Sequence, residues 1–242
     1  MKTFLAWCAH AYTALGLIAA ALIAVCLVRG DSESFRTAFL LMVIATVIDS
    51  TDGWFARKVE VRRYAPNFDG RRLDDLIDFH TYTTLPLLLI WRAELLPMSQ
   101  QPWLLLPLLA SAYGFCQTAA KTEDHYFLGF PSYWNVLAFY LWLFRLPSGV
   151  TLGLLIFFAL LTFVPARYLY TSQRGPFSVL TNVLASAWAV CVLVLLAQWP
   201  QPSRALLLVS LSFPAYYLGV SWWITWRYWR SRKPGLDVIG QQ

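Results

Sequence analysis

Residues 38–58 read AFLLMVIATVIDSTDGWFARK. An uncharged apolar run from Ala38 to Ile48 passes directly into two acids, Asp49 and Asp52, followed by Gly53, Ala56 and Arg57. The run belongs to an apolar stretch over 36–57, about the roughly 20 helical residues that cross a hydrocarbon core. Similar stretches recur at 4–28, 77–97, 102–120, 131–145, 150–166, 177–198 and 204–226. The spacing predicts an all-α fold, a polytopic integral membrane helix bundle of about eight transmembrane helices. The fifth and sixth stretches are short, and Pro147-Ser148-Gly149 between them reads as a tight turn, so a seven-span or re-entrant path over 131–166 stays open. The stretch at 4–28 is longer than a signal-peptide core and lacks a convincing cleavage site, so it reads as the first span.

The composition agrees. Charged residues make up 13% of the 242, against about 25% in soluble domains. Twelve Trp and twelve Tyr suit the headgroup level, where amphipathic rings collect. A net charge of +6 invites a nucleic-acid reading, but the basic residues sit in short gaps between apolar runs, as topology signals and anionic-lipid contacts do. No nucleic-acid partner is expected. With an even number of spans, fourteen of the nineteen Lys and Arg fall on the side of the N-terminus. The positive-inside rule makes that side cytoplasmic. The expected location is therefore a bacterial inner membrane, multi-pass, with both termini and the acids on the cytoplasmic face. Cys8, Cys26, Cys116 and Cys191 lie in apolar stretches with no CxxC pair, which indicates neither a zinc site nor a disulfide framework. The chain reads as one transmembrane domain over 1–232 with a polar cytoplasmic tail over 233–242.

The chemistry is concentrated around the second span. Asp49 and Asp52 are three apart and Ala56 follows Asp52 by four, so on a helix they share a face with Gly53 beside them. After a basic loop, Gly70, Asp74 and Asp78 recur at intervals of four and share a face as well. Two helix ends joined by a loop can thus aim four carboxylates at one point. Crowded carboxylates near hydrocarbon are costly. Divalent cations with hard oxygen ligands, Mg²⁺ or Mn²⁺, offset that cost, and paired ions clamp phosphoryl groups. Gly53, Ala56 and Gly70 offer clearance for a nucleotide near the backbone, and Arg57 suits a phosphate. The bland alternative is a set of interfacial acids paired with neighbouring arginines.

These residues resemble the signature of the CDP-alcohol phosphotransferase family, D-x2-D-G-x2-A-R, a spacer, then G-x3-D-x3-D. The matching positions are Asp49, Asp52, Gly53, Ala56, Arg57, Gly70, Asp74 and Asp78. The resemblance implies a site for two ions, Mn²⁺ or Mg²⁺, held by Asp49, Asp52, Asp74 and Asp78, with Asp78 also the catalytic base. It implies that Gly53, Ala56, Arg57 and Gly70 bind the CDP part, with Thr13 near the cytidine, and that the protein is a homodimer. The spacer has twelve residues, Lys58 to Asp69, where the family usually has eight. The longer spacer, with the opening stretch Trp7 to Gly16, is similar to the bacterial branch that transfers the phosphatidyl group of CDP-diacylglycerol to choline, releasing CMP and leaving phosphatidylcholine in the membrane lipid. The stretches Phe127–Asn135 and Arg167–Tyr170 resemble loops of related enzymes that use serine.

The acceptor is less well defined. A quaternary ammonium donates no hydrogen bond, so choline recognition calls for aromatic faces. Tyr12, Tyr64, Tyr82, Tyr113, Tyr168 and Tyr170 lie in the same half of the chain's predicted layout, and Tyr133 and Trp134 are favoured by the turn before them. Glu123 and Asp124 are possible counter-charges, although solvated loop acids are the plainer reading. His10, His80 and His125 read as packing or interfacial residues, and Asp75 as a partner of Arg71 or Arg72. A sister enzyme using serine or a polyol phosphate remains open. So does a cation transporter, since intramembrane acids mark ion paths.

Overall fold

The computed structural model describes residues 1–118, 120, 122, 126–169 and 177–231. The tail at 233–242 and Lys121, Glu123, Asp124, His125, Tyr170 and Arg174 lie outside the described residues. The eight apolar stretches all appear as helix. Helix α1 (Lys2–Arg29) ends at Gly30, whose φ of 74° lets its N–H close on the Cys26 carbonyl; glycine adopts this left-handed conformation without a Cβ penalty. Asp31 then caps α2 (Ser32–Lys58), accepting the Ser34 N–H at 2.9 Å and the Ser34 hydroxyl at 2.6 Å. A short helix, α3 (Val61–Tyr64), lies in the loop that follows.

The third segment begins earlier than hydropathy suggests. It runs as α4 (Gly70–Asp78), a π-helical turn over Phe79–Thr84 and α5 (Leu85–Arg92). Residues 70–76 are too polar to register as a span, but Asp69 caps them by accepting the Arg72 N–H at 3.1 Å. Next come α6 (Leu105–Cys116), α7 (Trp134–Phe144), α8 (Ser148–Leu161), α9 (Ser178–Ala197), α10 (Arg204–Ser210) and α11 (Ser212–Ser231). Helix α8 stops at Leu161, five residues short of the expected 166, because the chain turns at Thr162–Val164 ahead of Pro165. Four stretches are long and apolar enough to cross a membrane unaided: Lys2–Arg29, Ser32–Lys58, Ser178–Ala197 and Arg204–Ser231. Helix α7 has 11 residues and α8 has 14, too few at about 1.5 Å each to cross a core of about 30 Å.

Two strands, β1 (Tyr126–Leu128) and β2 (Arg167–Leu169), pair antiparallel with Phe127 opposite Tyr168. The loops after α6 and α8 are thereby tied at one end of the bundle. The Arg167 guanidinium lies 3.4 Å from the centre of the Tyr228 ring, so the last turns of α11 reach that end too. The opposite end is fastened by cations on backbone carbonyls: Arg36 donates to Leu196 at 2.7 Å and Arg145 to Ala93 at 3.1 Å. Helical segments therefore alternate direction between two ends. The start of α1 and the end of α11 share the end that carries the acids.

The packing is that of a protein in lipid. Helix α1 buries small residues, Ala6, Ala9, Thr13, Gly16, Ala19 and Ala20, which let backbones approach closely where no hydrophobic drive exists between helices. A Cβ on Gly16 would lie 2.8 Å from Ile77 Cγ2, so α1 presses directly on α4. Outward faces are apolar: Leu17, Ile18 and Val25 on α1, and Val179, Val183 and Val190 on α9, are exposed. Soluble monomers rarely expose apolar belts of that extent. The interior is aromatic, with Trp142 and Trp199 stacked at 4.1 Å and Phe39 against both Phe139 and Trp142.

Candidate active site

Helix α2 descends to the acid-bearing end while α4 leaves it, so the last turns of one face the first turns of the other. Carboxylate oxygens of Asp49, Asp74 and Asp78 come within 4.8 Å of one another. The expected spacing of four along a continuous helix brings Asp74 and Asp78 onto the face that meets Asp49. Each of the three is partly buried. An all-oxygen donor set gathered this closely, without His or Cys, fits a hard divalent cation. The plainer reading, acids neutralised by surface arginines, does not explain why three carboxylates converge.

Asp52 sits one turn along α2 from Asp49 and is buried. Its Oδ2 accepts the Thr13 hydroxyl at 2.8 Å, which ties α1 to the acid-bearing turns of α2 and gives Thr13 a definite place, while the three converging carboxylates are those of Asp49, Asp74 and Asp78. One residue before each partner, the Tyr12 and Thr51 hydroxyls are 2.8 Å apart. Gly53 faces open space: a Cβ there would meet only the Arg57 guanidinium, at 3.3 Å from Nη1. Arg57 is exposed and Ala56 half-buried. The Gly53–Ala56–Arg57 face therefore has room beside its carboxylates. Gly70 has a nearer neighbour. A Cβ there would lie 2.7 Å from His10 Cε1, so its smoothness accommodates a histidine ring from α1. His10 itself is buried, with Phe68 at 4.5 Å and Trp7 at 5.9 Å between ring centres, in keeping with a packing role.

Tyr82, one of the aromatic candidates for the acceptor, stands directly on the carboxylates. Tyr82 donates its hydroxyl hydrogen to Asp49 Oδ2 at 2.7 Å. The interval of four that links Gly70, Asp74 and Asp78 continues to Tyr82, and this is the signal that locates it. It lies in the π-helical turn directly after Asp78; such turns concentrate at functional sites. The His80 side chain, two residues earlier, is exposed. Asp75 forms no ion pair with Arg71 or Arg72 among the described residues, contrary to the pairing expected.

The two favoured aromatic residues part company. The Tyr133 ring lies 6.1 Å from that of Tyr82, which bonds Asp49, and 5.8 Å from Tyr217. Trp134 is fully buried, packs on Phe130 at 5.4 Å and donates its indole N–H to Ser111 at 2.6 Å. Tyr133 is the cap before α7, with non-helical backbone, and Trp134 is the first helical residue, so the two side chains leave the chain in different directions. Tyr113 packs on Phe163 at 5.0 Å, Tyr12 on Phe55 at 5.2 Å, and Tyr64 carries Lys2 at 5.3 Å. None of these three contacts a cluster acid among the described interactions.

The chain is similar along most of its length to three bacterial proteins. Phosphatidylcholine synthase of Legionella pneumophila is 33% identical over 232 residues, covering 92% of this chain and 89% of that protein. Phosphatidylcholine synthase of Pseudomonas aeruginosa is 33% identical over 227 residues, covering 93% of each. The protein of the same name from Legionella bozemanae is 32% identical over 208 residues, covering 83% of this chain and 96% of its own. No family model matches the chain.

Proposed function

The chain belongs to the phosphatidylcholine synthase family, and we propose that its phosphatidyl transfer from CDP-diacylglycerol to choline takes place at Asp49, Asp52, Asp74 and Asp78. The observation that carries this is the convergence of the Asp49, Asp74 and Asp78 oxygens within 4.8 Å. Asp78 accepts the proton as the choline O–H bond breaks. The oxygen bonds to the phosphorus that bears the diacylglycerol, and the phosphorus–oxygen bond to CMP breaks. Positioned proton transfer of this kind contributes about 10²–10⁴-fold. Thr13 holds Asp52 in place through its hydroxyl, Gly53 leaves room for the nucleotide, and Arg57 answers a phosphate charge. Two Mn²⁺ or Mg²⁺ ions held by the four aspartates would stabilise negative charge developing on the diphosphate.

The protein is a membrane enzyme. We place it in a bacterial inner membrane with the site on the cytoplasmic face; the support is the concentration of basic residues, including Arg57, Arg62, Arg63, Arg71 and Arg72, at the acid-bearing end. A homodimer is the expectation that the family resemblance adds.

CMP release by purified protein tests the assignment, with CDP-diacylglycerol, Mn²⁺, and choline, serine or glycerol 3-phosphate supplied separately. Choline-dependent release that Asp78→Asn lowers by about 10² or more is the expected outcome. Release with another alcohol would transfer the same chemistry to a sister reaction, and release with none would reopen the cation-transport reading.

A further inference from the structure

The acceptor's own shape constrains where its charge can sit. This step rests on choline being the substrate. Its hydroxyl must reach Asp78, and only two carbons separate that oxygen from the quaternary nitrogen. The cation must therefore lie immediately beside the carboxylates. Having no N–H, it is recognised by ring faces and nearby negative charge.

Tyr82 is hydrogen-bonded to Asp49 at 2.7 Å and follows Asp78 by four. Tyr133, at the start of α7, sets its ring 6.1 Å from that of Tyr82 at an angle of 57°. Tyr217 of α11 lies 5.8 Å from Tyr133 at 63°. Rings inclined near 60° are walls of a corner and not a flat stack, and a cation within about 6 Å of a ring centre is attracted to its face. The far wall is rigid. Tyr217 is buried, donates its hydroxyl to the Leu169 carbonyl at 3.0 Å and stacks on Tyr168 at 6.3 Å. Fixed walls lower the ordering cost of binding. The three rings come from three separate helical segments, so only the folded bundle assembles them.

We infer that Tyr82, Tyr133 and Tyr217 form the subsite for the trimethylammonium group of choline. Tyr133 gives the cleanest test, because Tyr82 also holds Asp49 and Tyr217 is buried in the core. Tyr133→Leu should raise the choline KM about tenfold, with the KM for CDP-diacylglycerol changed by less than about twofold. Tyr133→Phe, which keeps the ring, should restore the wild-type choline KM. Radiolabelled choline binding, measured with Mn²⁺ and with CDP in place of the lipid substrate so that no transfer occurs, gives the same comparison without catalysis. Weakened choline binding in Tyr133→Leu and recovery in Tyr133→Phe support the subsite. Equal binding by Tyr133→Leu and wild type, or no choline binding by wild type, overturns it. Choline binding that follows this pattern without choline-dependent CMP release would overturn the proposed reaction and leave the subsite standing.

Discussion

Tyr82 and Asp49 are joined by a hydrogen bond of 2.7 Å, linking the π-helical turn after Asp78 to the last turns of α2. The bond fixes one carboxylate of the cluster from the side opposite the helix that carries it. Hydrogen bonds to a charged group contribute about 1.5–3 kcal/mol. Tyr82→Phe keeps the ring and removes the bond, so kcat should fall roughly tenfold to a hundredfold while the choline KM moves much less. Steady-state rates with choline varied check this, and an unchanged kcat would remove Tyr82 from the positioning of Asp49.

Thr13 and Asp52 make the second link of this kind, from α1. Asp52 is only 6% exposed, so a lost partner leaves a buried carboxylate under-satisfied at about 1–3 kcal/mol. Thr13→Val should lower the thermal midpoint and raise the KM for CDP-diacylglycerol; Thr13→Ser, which restores the hydroxyl, should recover both. A Thr13→Val protein indistinguishable from wild type in both measurements would make the bond incidental.

Much of the site is legible in the chain because it is local. Asp74 and Asp78 share a helix face by spacing alone, and Asp49 with Asp52 ends an apolar run that can only be a span. Tyr82 continues the same spacing, yet a tyrosine near a membrane surface has no chemical signature of its own until its hydroxyl is seen on Asp49. Contacts between segments are silent in the sequence. Gly70 looks like clearance for a nucleotide, and the ring it accommodates belongs to His10, sixty residues earlier. The pairing of Tyr126–Leu128 with Arg167–Leu169 spans two helices and uses strands too short to leave a period. Tyr133 and Trp134 look alike as neighbours, and only the start of α7 between them separates a ring on Tyr82 from one in the core.

Gly16 sets how closely α1 approaches α4. A Cβ there would meet Ile77 Cγ2 at 2.8 Å, and an added methyl in a packed contact costs about 1–3 kcal/mol. Gly16→Ala should lower the thermal midpoint, and moving the branch away with Ile77→Leu, which has no Cγ2 methyl at near-constant volume, should return part of the loss. Additive effects in the double variant would show that the two positions do not touch in the working protein.

Trp134 offers a control on its neighbour. Trp134→Phe deletes the indole N–H that Ser111 accepts at 2.6 Å and leaves space in a fully buried position. A loss of about 1–3 kcal/mol in stability is expected, with the choline KM unaltered at temperatures where the variant is folded. A raised choline KM in the folded variant would return Trp134 to the acceptor site.

The cluster itself should respond to divalent ions apart from any turnover. Three carboxylates with oxygens inside 4.8 Å repel one another, so a cation bound among them stabilises the folded bundle by a mass-action term of about 2.7 kcal/mol at a hundredfold excess over Kd. Chelation with EDTA should therefore lower the thermal midpoint of purified protein, and Mn²⁺ or Mg²⁺ should restore it while Na⁺ at equal ionic strength does not. Asp74→Asn removes one donor and part of the repulsion together. Its midpoint in EDTA should rise above that of the wild type, and its gain on adding Mn²⁺ should shrink. Both changes have the same origin, since a site built to be neutralised by a cation is strained without one. A wild-type midpoint indifferent to EDTA and Mn²⁺ would show that these acids are neutralised by the protein alone, and the divalent-ion chemistry would have to be abandoned.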